Sequence, residues 1–141
     1  MSYSCERVGE LLYATIHGTF RLDEAKLTYQ SLVDRCVADA ISVMLMDCRA
    51  LEGEPTTQER YDFGAFVALA NEKAAGGETG SLRIALVGRL PLIDPLRFGE
   101  VVARNRGAAV KATTELEEAI AWLALDPSVV ESLALGRQYV E

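Results

Sequence analysis

Few side chains in this chain are equipped for chemistry. There is one histidine, His17, and there are three cysteines, Cys5, Cys36 and Cys48. His17 and Cys48 each close a segment of strand-like sequence. If those strands lie side by side and run the same way, both residues reach one edge. A base beside a thiol, with a helix N-terminus close by, could make Cys48 a nucleophile; otherwise Cys48 caps a buried strand and His17 is an ordinary strand-end residue. Asp47, Arg49 and Arg89 come to the same edge, where the two arginines and helix-terminal amides could hold an anion or polar ligand. The alternative is that both arginines are solvated or paired with surface carboxylates. No further triad-like order or oxyanion motif accompanies these residues, so no catalytic residue is assigned.

Other features have plainer explanations. The cysteines are odd in number, dispersed and lack a CxxC pair, and with one histidine they supply no zinc site. No metal or cofactor is implied. The stretch AAGGETG, with Gly76, Gly77 and Gly80, lacks the lysine of a phosphate-binding loop and does not join a strand to a helix. It is expected to be the most mobile loop, within Asn71–Ser81. Thr56 and Thr57 are candidate phosphorylation sites, although Thr56 has a structural role as a helix cap. Glu117 and Glu118 belong to a solvated helix face. Trp122 is expected at the core or its edge. Arg97 and Arg104, seven positions apart, would share a helix face that, with Leu133–Val140, could form a dimer surface.

The elements that must position these residues follow from periodicity. Tyr3–Val8 and Leu11–His17, joined by Gly9-Glu10, read as a hairpin with a Gly-first turn. A helix over Leu22–Val37 carries the apolar stripe Leu22, Ala25, Tyr29, Leu32, Val33 and Cys36. SVMLMDC, Ser42–Cys48, reads as a buried central strand followed by a loop over Arg49–Pro55. Thr56 and Glu59 have the spacing of a capping box, opening a helix whose inner face is Phe63, Phe66, Val67 and Ala70. Leu82–Val87 is another buried strand. Asp94 as N-cap, Pro95 as first helical residue and Gly107 beyond the end frame a third helix. A strand at Val110–Ala112 leads to a second capping box, Thr114 and Glu117, and a helix burying Leu116, Ala119, Ile120 and Leu123. A short last helix from Asp126-Pro127 closes at Gly136. Strand–helix–strand connections are right-handed and parallel, so the expected architecture is α/β: a mostly parallel sheet of about five strands, the first an antiparallel edge strand, with four to five helices.

The bulk properties agree. A length of 141 residues suits one domain, with a core over about residues 3–124 and residues 125–141 as a helix and tail. Half the residues are hydrophobic and a quarter charged, as expected of a globular chain. A net charge of −7 opposes phosphate backbones and disfavours nucleic acid as a partner. The first residues lack a secretory pattern, no apolar run reaches the ~20 residues of a membrane span, and unpaired thiols fit a reducing cytoplasm.

The strand VMLMDCRALEG, the strand RIALVG with its loop and the helix FGEVVARNRG, and above all the closing TTELEEAIAWL resemble the SpoIIAA-like fold of STAS domains. More closely, they resemble bacterial SpoIIAA-like proteins described as STAS/SEC14-like. The resemblance runs from about Tyr3 to Leu123. It implies a cytoplasmic, non-catalytic regulatory or protein-interaction module, with a protein partner or homodimer expected. The alternative it leaves is a small-molecule, nucleotide or lipid-binding protein using the edge at the carboxyl ends of the parallel strands. Anti-sigma-factor antagonists of that class carry a phosphorylated serine at the start of the helix after the third strand. Counted along the chain, the corresponding stretch is Asp47-Cys48-Arg49-Ala50-Leu51, which has no serine.

Overall fold

The computed structural model describes residues 1–75 and 82–140, with side chains as far as Leu133. The elements are β1 (Ser2–Val8), β2 (Leu11–Thr19), α1 (Leu22–Ala38), β3 (Val43–Glu52), α2 (Thr57–Ala75), β4 (Arg83–Gly88), α3 (Phe98–Asn105), β5 (Ala109–Thr113), α4 (Leu116–Leu123) and α5 (Pro127–Val140). They build one five-stranded sheet in the order β1-β2-β3-β4-β5. β1 is antiparallel to β2, and every other pairing is parallel. This is the α/β arrangement expected from the sequence.

Strand order decides which face each helix covers. Right-handed crossovers that always step in one direction deposit their helices on one side, so α1, α2 and α3 share a face. The larger core lies there, with Leu12, Ala14 and Ile16 of β2, Met44, Met46 and Cys48 of β3, and Ile84 of β4 under Tyr29, Leu32, Val33 and Val67. The alternate residues Leu11, Leu45, Ala85 and Val87 face the other way, under Ala119 and Leu123 of α4 and Val129 and Leu133 of α5. Each central strand is therefore apolar on both sides, which is why Ser42–Cys48 and Leu82–Val87 read as continuous runs rather than alternating ones.

Several boundaries differ from the sequence reading. β3 continues to Glu52, four residues beyond Cys48, because its register against β2 steps from Thr15–Asp47 to His17–Ala50. The extra residue makes a bulge at Cys48–Arg49 and lets the strand go on pairing. β2 likewise passes Gly18 and ends at Thr19. The first capping box is present: Glu59 N–H donates to Thr56 Oγ1 at 3.1 Å, and Thr56 N–H to Glu59 Oε1 at 2.9 Å. α2 takes in residues 71–75 of the stretch expected to be a mobile loop. The remainder, residues 76–81 with the glycine-rich motif, lies outside the described residues.

The third helix does not start at Pro95. Asp94–Arg97 form a turn closed by Arg97 N–H on the Asp94 carbonyl at 3.0 Å, with proline in the second position that such turns favour. Arg97 then adopts a left-handed conformation, φ 50°, so helical geometry begins only at Phe98. Asp94 still caps the helix, accepting Phe98 N–H at 3.1 Å. The second capping box, Thr114 with Glu117, is not formed: Glu115 holds the N-cap position of α4 and makes no side-chain cap bond. Thr113, buried at the end of β5, accepts Glu115 N–H at 3.1 Å and donates to Glu118 at 3.0 Å, whereas Thr114 is exposed. The last helix runs through position 136 to Val140 instead of closing there.

Candidate functional site

His17, Asp47, Cys48, Arg49 and Arg89 all lie at the carboxyl end of the parallel strands, as chain order predicts, but on two different faces. Asp47 pairs with Val87 and Cys48 with Gly88 across β3 and β4, while His17 pairs with Ala50. Alternation then separates neighbours. Cys48 projects into the layer beneath α1–α3 and is buried. His17, Asp47, Arg49 and Arg89 line a groove on the opposite face. This overturns the thiol nucleophile activated by His17, because the sheet separates base from thiol. Burial raises the Cys48 thiol pKa well above its ordinary value, and the nearby Asp47 charge raises it further.

The groove, about 810 Å³, is open to solvent and bordered by Ser4, Glu6, Tyr13 and Thr15 of the sheet and by Ser132 and Leu133 of α5. Its organising group is Asp47. Arg49 Nε and Nη2 donate to the two carboxylate oxygens at 2.8 and 2.6 Å, Arg49 N–H donates at 3.2 Å, and Tyr13 Oη donates at 2.7 Å. Asp47 and Arg49 are two apart on one strand and share a face, so the bidentate pair forms locally. Burial works to raise the Asp47 pKa, but the hydrogen bonds from Arg49 and Tyr13 outweigh it and hold the carboxyl below its ordinary value. Tyr13 is pushed up to about 12, by burial first and then by Asp47, so it is a hydrogen-bond donor at neutral pH. Arg49 is thus engaged by Asp47 rather than free for a ligand. Sequence reasoning missed Tyr13, because its place beside Asp47 follows only from the register between β2 and β3.

Beneath α1–α3, at the same end of the sheet, is an apolar cavity of about 120 Å³ among Ile16, Phe20, Met46, Cys48, Phe63 and Leu92. The segment between β4 and α3 closes it. Arg60 of α2 grips that segment, donating from Nη1 to the Leu92 carbonyl at 2.6 Å and from Nη2 to the Pro91 carbonyl at 2.8 Å, with Asp94 3.5 Å away. The same segment turns Leu90 and Leu96 outward, 62% and 85% exposed.

The remaining sequence candidates are dispersed. Thr56 and Thr57 are exposed at the start of α2. Because β3 extends to Glu52, the start of the helix after the third strand is Thr56–Thr57 and not Asp47–Leu51. Arg97 and Arg104 do not share a helix face. Arg97 precedes α3 and lies 3.5 Å from Glu118, while Arg104 donates to the Val110 carbonyl and packs 5.8 Å from the Trp122 ring centroid. Trp122 is half-buried at the edge of the smaller core. Among the described residues, no cluster of three side chains could hold a metal ion, and no helix is long and apolar enough to cross a membrane.

No protein-family model and no curated protein matches this chain. Among solved structures, an anti-sigma factor antagonist from Mycobacterium paratuberculosis superposes with a TM-score of 0.55 at 18% identity, covering 88% of this chain and 94% of that one. The likeness therefore extends over most of the length of both chains. The chain has the SpoIIAA-like fold of STAS domains.

Proposed function

We propose that this protein is a non-catalytic, cytoplasmic regulatory module that acts by binding a protein partner through the loop between β4 and α3. The observation that carries this is the display of Leu90 and Leu96 to solvent on a segment held in one shape by Arg60 and by the Asp94 cap. Exposed leucines cost solubility, and a fixed backbone reduces the ordering entropy a partner must offset on docking. The structural likeness to an anti-sigma factor antagonist supports a regulatory reading. Thr57, exposed in the first turn of α2, is the position at which a phosphate would meet a helix N-terminus, three residues before the Arg60 that holds the docking loop.

The test is photo-crosslinking from position 96 in the native host, followed by mass spectrometry. One protein should be captured by the otherwise unchanged chain and lost from Leu90→Ser, while the melting temperature stays within a degree or two. Capture that survives a Leu90→Ser, Leu96→Asp double substitution made with the crosslinker moved to Val101 would overturn the reading.

A second reading is favoured by the apolar cavity. Its volume, about 120 Å³, matches a guest of roughly benzene's size rather than a nucleotide or a whole lipid chain. Native mass spectrometry of protein purified gently from its host would show such a ligand as a fixed mass increment that Ala103→Phe abolishes.

A further inference from the structure

The two edges of the sheet are finished differently. On β5 the outward backbone groups are occupied by side chains of α3: Ala112 N–H donates to Glu100 at 2.6 Å, and the Val110 carbonyl accepts from Arg104 at 2.8 Å. Such capping prevents a further strand from adding. Among the described residues, no side chain covers the outer edge of β1 in this way. The strand runs seven residues in unbroken register with β2, without a bulge, proline or lysine. Val8 and Leu11 flank a two-residue turn and so exchange hydrogen bonds with each other; alternation then turns the N–H and C=O of Arg7, Cys5 and Tyr3 away from β2. No side chain, loop or helix among the described residues bonds to these groups.

We infer that β1 pairs antiparallel with β1 of a second copy about a two-fold axis at Cys5, fusing two sheets into one. The strand is complementary to itself in this register and in no neighbouring one. With the axis at Cys5, Tyr3 lies opposite Arg7 and Ser4 opposite Glu6, each contact made twice, as an isologous interface requires. All the outward groups of Tyr3, Cys5 and Arg7 find partners. An axis at Glu6 or Arg7 sets like charges face to face, and an axis nearer the start of the strand runs the pairing off its end. Tyr3, 41% exposed in the single chain, is covered by the Arg7 stem of the other copy. This dimer needs no other partner and is independent of the docking loop.

Sedimentation of the purified full chain, with charge variants at Tyr3, tests the inference. Tyr3→Lys opposes Arg7 twice and should raise the dimer dissociation constant about tenfold, while Tyr3→Glu should leave it unchanged or lower it. Copper-phenanthroline oxidation supplies a second readout. Cα atoms of a hydrogen-bonded antiparallel pair stand about 5.5 Å apart, within reach of a disulfide, so two Cys5 thiols should crosslink, the reagent accepting the two electrons. Cys5→Ser should abolish the crosslink and keep the dimer, since Cys36 and Cys48 are buried. A chain that stays monomeric at every soluble concentration overturns the inference, as does a dimer that does not crosslink through Cys5 or that answers Lys and Glu at position 3 alike. Leu90→Ser should leave the dimer intact, which separates this result from failure of the partner-binding proposal.

Discussion

Tyr13 on β2 donates a 2.7 Å hydrogen bond to Asp47 on β3, closing the carboxylate between the tyrosine and the Arg49 guanidinium. The pairing ties the strands together through side chains on the face that α4 and α5 cover only in part, and it has a pH signature. Asp47→Asn should cost about 2 kcal/mol at pH 7, the value of charge-assisted hydrogen bonds lost from a buried group. Since the folded carboxyl titrates below its ordinary value, the stabilisation is complete above about 3.9, the unfolded value, and is lost as pH falls through the lower folded one. Urea unfolding of both proteins should therefore show a constant gap near neutrality that closes in acid. A gap that persists at pH 2 would mean the charge is not its source.

Thiol accessibility reports burial beneath α1–α3. A thiol reagent at pH 8 should modify Cys5 alone in the folded protein. Cys36 is pushed up to about 12 by burial, with the neighbouring Cys5 and Asp39 adding to it, and Cys48 is raised by burial in the same way. Both should react only after unfolding, so the number of modified thiols should rise from one to three across the denaturation curve. A second fast-reacting thiol in the native state would contradict the placement of Cys48.

Where α2 meets α3 there is no room for a side chain at position 64. A Cβ on Gly64 would come within 2.6 Å of the Gly99 carbonyl and 3.1 Å of Val102, both on the facing helix. Gly64→Ala should therefore destabilise by about 1–3 kcal/mol through overpacking. Gly99→Ala, whose Cβ would stand 3.4 Å from the Arg60 carbonyl, should cost less. Melting temperatures of the two variants should rank in that order.

Trp122 is an edge anchor. Its ring lies 4.4 Å from the Arg83 guanidinium and 5.8 Å from that of Arg104, and it is half-buried. Trp122→Ala should cost about 2 kcal/mol, less than the ~3–5 kcal/mol of a fully enclosed tryptophan. Trp122→Phe, which keeps a ring beneath Arg83, should recover about half of that in chemical denaturation.

Every strand and helix of the described chain was legible as an element in the sequence, because hydrophobic period and chain order are local or nearly local quantities. The run VMLMDC announces a strand buried on both faces, and Thr56 with Glu59 announces a helix start that the structure contains. The parallel sheet follows from the handedness of crossovers, and so does the gathering of His17, Asp47, Cys48, Arg49 and Arg89 at one end. Only the tertiary structure decided which side of the sheet each of these faces. A bulge between β2 and β3 and the alternation of the strand put Cys48 under α1–α3 and leave His17, Arg49 and Arg89 on the other face, a partition that depends on register between segments some thirty residues apart. The same holds for the displaced start of α3, where Arg97 takes a left-handed conformation, and for Tyr13, whose role exists only once Asp47 is brought beside it. Spacing along the chain specifies what can fold locally. Contacts across strands assign the chemistry.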